Sequence, residues 1–347
     1  MPRDPSGAQG MALLGSAGDV LVRSEATTRA EAGAFGVPGL RFECVESIDS
    51  TNSELMRRAR AGRHEAVLLQ ALQQTAGRGR QGRSWVASPA GLYLSLGLPL
   101  APKDWRGLSL AVGVALAQTL APWCRRPGRL GLKWPNDVWV LAGDGSLPTP
   151  GPTGPEAADP AWASAGVRKL CGILVETALL AGTAARTDGS ADQGWAADSR
   201  YVVVGIGVNI ETPAPQALDG RGLAPIGLRD CVADTHGPEA LVSEAFVPEA
   251  LVPEALREQV LRALVPRLWD EIKAFERLGF EHARARYGAL DLLRGHILNC
   301  TDAQGRLLAG RAVGVDEAGQ LLVHTLNAPN AAVVTIHSGD VSVRLSP

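Results

Sequence analysis

Apolar residues alternate with polar ones, or run together in short blocks, at residues 66–70, 92–96, 129–133, 138–141, 170–177 and 201–210. Each block predicts a β-strand. Leu108–Leu120 is small and apolar almost throughout, which predicts a helix lying against a sheet. The pattern across 255–277 predicts a longer amphipathic helix, with Pro266 expected to kink it. A shorter helix is predicted to open at Asp49-Ser50-Thr51-Asn52-Ser53-Glu54, with Thr51 and Glu54 as a capping box and Gly62 as its stop. From residue 293 onward, strand-like runs are separated by Asp302-Ala303-Gln304-Gly305, Asp316-Glu317-Ala318-Gly319 and Ser338-Gly339-Asp340. Such spacings are turn chemistry and predict a small all-β, SH3-like barrel.

Three domains follow. Residues 1–40 are Ala/Gly-rich and weakly patterned, an N-terminal arm with little structure. Residues 41–292 mix strands and helices, and residues 293–347 form the barrel. The fold class is α+β. Gly/Pro/Ala-rich stretches at 143–167 and 181–199, and a third at 213–253, are expected to be long surface loops. The third repeats Pro-Glu-Ala-Leu-Val at 238–242 and 248–252, followed by Pro253-Glu254-Ala255-Leu256. A tandem duplication in a tolerant loop explains it, each unit being a short helical turn at most.

The chain has 347 residues and a formal net charge of −2, so nothing global favours nucleic acid or an anionic membrane. Its basic character is local, which suits a small anionic ligand. Five scattered cysteines without a Cys-x-x-Cys pair fit a reducing compartment, and a cytoplasmic location is expected. No signal pattern opens the chain, and no apolar run approaches the roughly 20 residues of a membrane span.

The candidate chemistry starts at Gly77-Arg78-Gly79-Arg80-Gln81-Gly82-Arg83-Ser84-Trp85. Glycines let a backbone curl tightly and expose its N–H groups, and arginines match phosphate or carboxylate oxygens. A tryptophan closing the loop can lie on an aromatic ring. The letters also satisfy Gly-x-Gly-x-x-Gly, but that dinucleotide fingerprint needs a helix after it. Pro89 and Gly91 oppose one here. A solvated basic loop is the plain alternative.

In Lys133-Trp134-Pro135-Asn136-Asp137, Asn136 and Asp137 emerge at the mouth of a strand. They either form a self-bonded turn or supply the single carboxylate that Mg²⁺ asks of a protein beside phosphates. In Arg168-Lys169-Leu170-Cys171-Gly172-Ile173-Leu174-Val175-Glu176, strand periodicity places Lys169 on the face of residues 171, 173 and 175, which should be buried. Its amine either reaches solvent from a strand end or bridges two negative groups. Gly172, and Gly205 and Gly207 before Asn209, would let a ligand approach the backbone. The polar start of the helix at residue 51, and Gln73 and Gln74, suit a small polar ligand. The six histidines show no metal spacing; a Gly-x-Ser-x-Gly elbow and a P-loop are absent as well.

These segments, in this order from Asp49 to Asn209, resemble the biotin protein ligases, and the predicted C-terminal barrel agrees. The resemblance is to the non-repressor members that carry no DNA-binding domain. It implies a class II synthetase-like mixed sheet with flanking helices, then an SH3-like domain. The implied activity is an ATP-dependent ligase that makes biotinyl-5′-AMP and passes biotin to a lysine of a biotin carboxyl carrier protein, the acetyl-CoA carboxylase subunit. ATP, biotin and Mg²⁺ are the implied ligands; no nucleic acid or membrane is implied, and the protein is a monomer or homodimer. Residue by residue, the resemblance implies that Ser50, Thr51, Asn52 and Gln74 line the biotin-ring pocket. Arg78, Gly79 and Arg80 order over biotin and the adenylate, and Trp85 packs on the adenine. Asn136 and Asp137 serve the phosphates, with Asp137 on Mg²⁺. Lys169 touches the biotin carboxylate and the α-phosphate, and with Arg80 is implied to be catalytic. Gly172 and Gly205 form backbone walls, and Asn209 binds on the nucleotide side. The loop between Asp137 and Lys169 is longer than the family's.

Two rivals remain. A lipoate or octanoate ligase or transferase has a related fold, but its usual Arg-Arg-x-x-Gly-Gly-Gly signature is missing. An RNA-binding Arg/Gly module would need dispersed basic and aromatic residues, against the near-neutral charge.

Overall fold

The computed structural model describes residues 31–32, 34–86, 88, 90–124, 130–141, 166–180, 198–214, 224–233, 252–301, 307–326, 332–338 and 342–345. These contain thirteen strands and five α-helices. Strands β1 (Glu31–Ala32), β2 (Arg41–Ile48), β3 (Val67–Gln74), β4 (Leu92–Leu100), β5 (Leu130–Lys133), β6 (Asp137–Val140), β7 (Arg168–Leu179) and β8 (Arg200–Val208) form one sheet, in the order β1-β2-β3-β4-β8-β7-β6-β5. Only β2 and β3 are parallel; they are joined through helix α1 (Thr51–Arg60), the crossover a parallel pair needs.

Strand β4 shows why the sheet is covered on both faces. Every described position from Leu92 to Leu98 is buried, as expected for a strand written as a continuous apolar run. On one face Leu55, Met56 and Ala59 of α1 pack on Val67, Leu69, Tyr201 and Val203. On the other lies α2 (Leu108–Leu120), buried almost all round. A Cβ at its Gly113 would stand 3.3 Å from Leu132, so the missing side chain lets α2 press onto the sheet. Behind α2 run α4 (Pro253–Leu278) and α5 (Glu281–Gly288), after the short α3 (Leu228–Ala233). Helix α4 continues through Pro266, where the sequence suggested a kink; the ring costs one intrahelical hydrogen bond while Leu264, Val265 and Leu268 remain fully buried.

Residues expected to lie in the loop at 213–253 take part in the core. Ala224 and Ile226 hydrogen-bond to Lys169 of β7, and Leu228 and Cys231 of α3 are fully buried. Pro253, the last residue of that stretch, opens α4 at a position where its missing N–H is tolerated. The first two repeat copies lie outside the described residues, apart from Val252. So do residues 1–30 and nearly all of the stretches 143–167 and 181–199. Residues 34–40 pack on the sheet through Val37 and Leu40.

A second sheet, all antiparallel, contains β9 (Ile297–Thr301), β10 (Leu307–Val315), β11 (Leu321–Thr325), β12 (Val333–Ile336) and β13 (Ser342–Leu345), in the order β12-β11-β10-β9-β13. The predicted turn at 316–319 forms: Asp316 Oδ1 accepts from the N–H groups of Ala318 and Gln320. The turn touches the first domain, because Trp134 Nε1 donates to the Gly319 carbonyl at 3.0 Å. Trp134 is fully buried, and its peptide bond to Pro135 is cis.

Candidate active site

The glycine–arginine segment is a small β-hairpin rather than an open loop. Arg78 and Ser84 bridge in antiparallel fashion, Trp85 N donates to Gly77 O at 2.9 Å, and Gly79 N donates to Arg83 O at 2.7 Å. Gln81 and Gly82 both have positive φ, 56° and 71°, and Arg83 N donates to Arg80 O. These are the features of a two-residue type I′ turn, whose twist matches that of the flanking strands. The segment is followed by β4, so the helix that a dinucleotide fingerprint requires is not there.

The hairpin's arginines point to different places. Arg78 Nη1 pairs with Glu176 of β7 at 3.0 Å. Arg80 Nη1 donates to Asn136 Oδ1 at 3.4 Å, and its Nη2 reaches the carbonyl of Ser338, just past the C-terminal end of Val333–Ile336.

Beside the hairpin, the start of α1 is tied into a buried polar network. The expected capping box does not form. Ser50 is the cap, accepting from Ser53 N, and Glu54 is drawn away by Arg57 and Arg58. Thr51 is thereby released from capping: its N–H and hydroxyl donate to Gln74 Oε1 at 2.8 and 3.2 Å. Asn52 Nδ2 donates to Glu176 Oε2 at 3.0 Å and to Leu174 O. The Ser95 hydroxyl lies 2.7 Å from Thr51 Oγ1 and 2.6 Å from Asn52 Oδ1, its one proton shared between them. Gly205 completes the group, since a Cβ there would stand 2.0 Å from Asn52 Oδ1. Ser95 was missed in the sequence, although a lone hydroxyl inside Leu92-Tyr93-Leu94-Ser95-Leu96 was a usable signal.

The second cluster lies on the same face of β7, around Lys169. Strand periodicity placed this lysine with Cys171 and Ile173, and the structure does not. Opposite β6, Asp137 pairs with Gly172, Val138 with Cys171 and Trp139 with Lys169, so Leu170 is an extra residue without a partner on β6. This β-bulge reverses the alternation. Cys171 and Ile173 enter the core, while Lys169 shares the face of Asp137 and Gly172. Its Nζ lies 2.7 Å from Asp137 Oδ1 and 5.2 Å from the centre of the Trp85 ring.

Gly172 and Gly207 form the floor under that ring; a Cβ on either would come within 2.6 Å of the indole. Lys133, which the sequence reading left out of the site, lies opposite Asp137 with its amine 5.9 Å from the Trp139 ring centre. Burial pushes the Lys133 ammonium down to about 8; Asp137 opposes the fall, and Lys169, Arg80 and Arg83 add to it. Lys169 and Lys133 thus flank Asp137, with Arg80 and Arg83 close enough to act on Lys133, and this excess of positive charge favours a further anion.

Of the remaining candidates, Asn136 is occupied by structure, its Nδ2 donating to Ile173 O at 2.8 Å. Gly79 lies in the hairpin strand. Asn209 Nδ2 donates to Lys169 O at 3.3 Å. Two buried atoms here, Trp85 Nε1 and Asn209 Oδ1, have no hydrogen-bond partner among the described residues.

Residues 44–185 match the biotin/lipoate A/B protein ligase family, and residues 301–344 match the biotin protein ligase C-terminal domain. The chain belongs to the biotin protein ligase family. The first match runs from within β2 through β7 and the second from the end of β9 into β13, in the order this family implies. A biotin–[acetyl-CoA-carboxylase] ligase of Mycobacterium tuberculosis is 33% identical over 185 residues, 52% of this chain and 52% of that protein. One from Paracoccus denitrificans is 29% identical over 196 residues, 55% of this chain and 64% of that protein. The matched stretch thus spans about half to two thirds of these relatives. The biotin protein ligase of Aquifex aeolicus, solved with biotin and ATP, shares the fold with a TM-score of 0.58 and 22% identity, covering 88% of this chain and 99% of that one. Biotin protein ligases therefore share both the mixed sheet and the C-terminal sheet seen here.

Proposed function

We propose that this protein is an ATP-dependent ligase that activates biotin as biotinyl-5′-AMP and transfers it to a lysine of a biotin carboxyl carrier protein. The observation that carries the reading is the Lys169–Asp137 pair at 2.7 Å, set beside Trp85 and Arg80. In the first half-reaction the biotin carboxylate attacks the α-phosphorus of ATP and pyrophosphate leaves. In the second, an acceptor amine attacks the mixed anhydride and AMP leaves. The first step brings two anions together, and fixed cations offset that repulsion. Lys169 is assigned to both the carboxylate and the α-phosphate, with Arg80 of the hairpin near it through Asn136 and Arg78 held further along β7 by Glu176.

Thr51, Asn52, Gln74 and Gly205 are assigned to the biotin ring system, with Ser50 acting through the helix cap. Trp85 and Asn209 are assigned to the adenosine side, where the unpartnered Nε1 and Oδ1 offer one donor and one acceptor. No group of three acidic, histidine or cysteine ligands occurs among the described residues. One carboxylate beside phosphates fits Mg²⁺, which keeps waters and phosphate oxygens as its other ligands. Asp137 and Asn136 would hold it there, and it would neutralise phosphate charge. No protein nucleophile is needed. Gln81 and Gly82 give the hairpin a turn compatible with closure over the labile anhydride.

The test is to mix the protein with biotin, ATP, Mg²⁺ and a carrier domain, and weigh the carrier intact. A biotinyl adduct is expected. A lipoyl adduct when lipoate replaces biotin, with no biotinyl adduct, would move the protein to the other branch of the joint family.

A further inference from the structure

We propose that Glu176 is a positioning residue for biotin activation, tying the arginine hairpin to the first turn of α1. The inference rests on the activity proposed above. One carboxylate holds two partners that belong to different elements. Arg78 Nη1 lies 3.0 Å from Glu176 Oε1 and 3.2 Å from Oε2, and Asn52 Nδ2 lies 3.0 Å from Oε2. The hairpin's own hydrogen bonds set its shape but not its angle to the sheet. Arg78 binds the strand carrying Lys169, and Glu176 is where it binds. Asn52, in turn, is fixed by Ser95 and by the absence of a Cβ on Gly205. The side chain of Glu176 is about one-fifth exposed and that of Arg78 nearly half, so solvent screens the pair in part.

Glu176 and Gly172 lie on one face of β7, four residues apart, a span of about 13 Å. Glu176 therefore anchors the end of the site remote from the Lys169 ammonium. Its loss should loosen the hairpin and weaken the biotin side while leaving the nucleotide side alone.

Glu176→Gln tests this directly, because the amide keeps an acceptor for Asn52 but loses the charge that holds Arg78. Two readings are taken: steady-state pyrophosphate release with biotin and ATP varied separately, and limited trypsin cleavage at Arg78, Arg80 and Arg83 read by mass. Loss of one charge-assisted hydrogen bond is expected to raise the KM for biotin and the hairpin cleavage rate about tenfold each. The KM for ATP should stay unchanged, and saturating biotin should restore protection. Unchanged cleavage and unchanged KM for biotin, or an equal rise in both KM values, would overturn the assignment. If Glu176→Gln does not fold, Glu176→Asp, which keeps the charge but shortens the reach, is read in the same two arms with the same criteria. A wild-type protein that releases no pyrophosphate from biotin and ATP would remove the proposed activity. The cleavage arm would still decide separately whether Glu176 anchors the hairpin.

Discussion

Lys169 and Asp137 meet at 2.7 Å because Leu170 is one residue too many for the pairing of β7 with β6. Without the bulge, the lysine would point into the apolar layer beneath α2, where burying an ammonium is costly. With it, the ammonium lies between a carboxylate and an indole. Two further contacts hold the distorted backbone, Lys169 N to Ala224 O and Asn209 N to Leu170 O.

Lys169→Ala is expected to slow biotin-dependent pyrophosphate release by roughly two orders of magnitude, about 3 kcal/mol in the barrier, by analogy with lost transition-state donors. The variant should fold, since Lys169 is only partly buried. Rapid-quench measurement of pyrophosphate checks this, and a wild-type rate would remove Lys169 from its assigned role.

Gly205→Ala and Gly172→Ala should separate the two halves of the site. The first drives a methyl into Asn52 Oδ1, the second into the Trp85 ring. Overpacking of this kind costs about 1–3 kcal/mol. Gly205→Ala should weaken biotin binding at unchanged ATP affinity, and Gly172→Ala the reverse, as read by titration calorimetry with each ligand.

Ser95→Ala removes the hydroxyl shared by Thr51 and Asn52 in a buried layer. Leaving their oxygens without that donor should lower stability by about 1–3 kcal/mol. Urea unfolding would show it, and a change below about 0.5 kcal/mol would mean that the network does not depend on Ser95.

Asp291 should give the fold a pH dependence between about 4 and 6. Burial raises its carboxyl to about 6 from an ordinary 3.8, outweighing hydrogen bonds from the Leu293 and Arg294 backbone. The folded state then keeps a proton that the unfolded chain releases. This group's contribution is full below about 4 and is lost as pH rises through about 6. Asp291→Asn keeps an oxygen for the Leu293 N–H, now 2.9 Å from Oδ1. The variant should gain about 1–3 kcal/mol over wild type at pH 7.5 and much less at pH 4.5. Equal differences at the two pH values would show that Asp291 ionises as freely folded as unfolded.

The elements were legible wherever local pattern and burial agree. Leu108–Leu120 is a helix to the residue, and Gly62, with φ of 80°, stops α1 as its position suggested. The strands at 130–133 and 200–208 lie where apolar blocks predicted them. The readings that failed depended on partners distant in sequence. Thr51 looked like half of a capping box, but Gln74, 23 residues away, takes its donors. Residues 224–233 looked like loop because Pro225 and Gly227 interrupt their short apolar run, and what fixes them is backbone pairing with Lys169, far away in sequence, and with Asn209 and Ile210.

Residue chemistry by itself determined the inventory: a Gly/Arg segment ending in tryptophan, a lysine before a glycine in a buried strand, and an Asn–Asp pair after a proline. It also set the family, because those motifs and their order are carried by the chain alone. Which way Lys169 points, what Arg78 holds and how Ser95 joins Thr51 to Asn52 were decided by tertiary structure. The physical reason is that a strand's period of two assigns faces only while the register is regular. A single unpaired residue, fixed by strands that are neighbours only in the folded sheet, exchanges the core face for the face of Asp137 and Gly172.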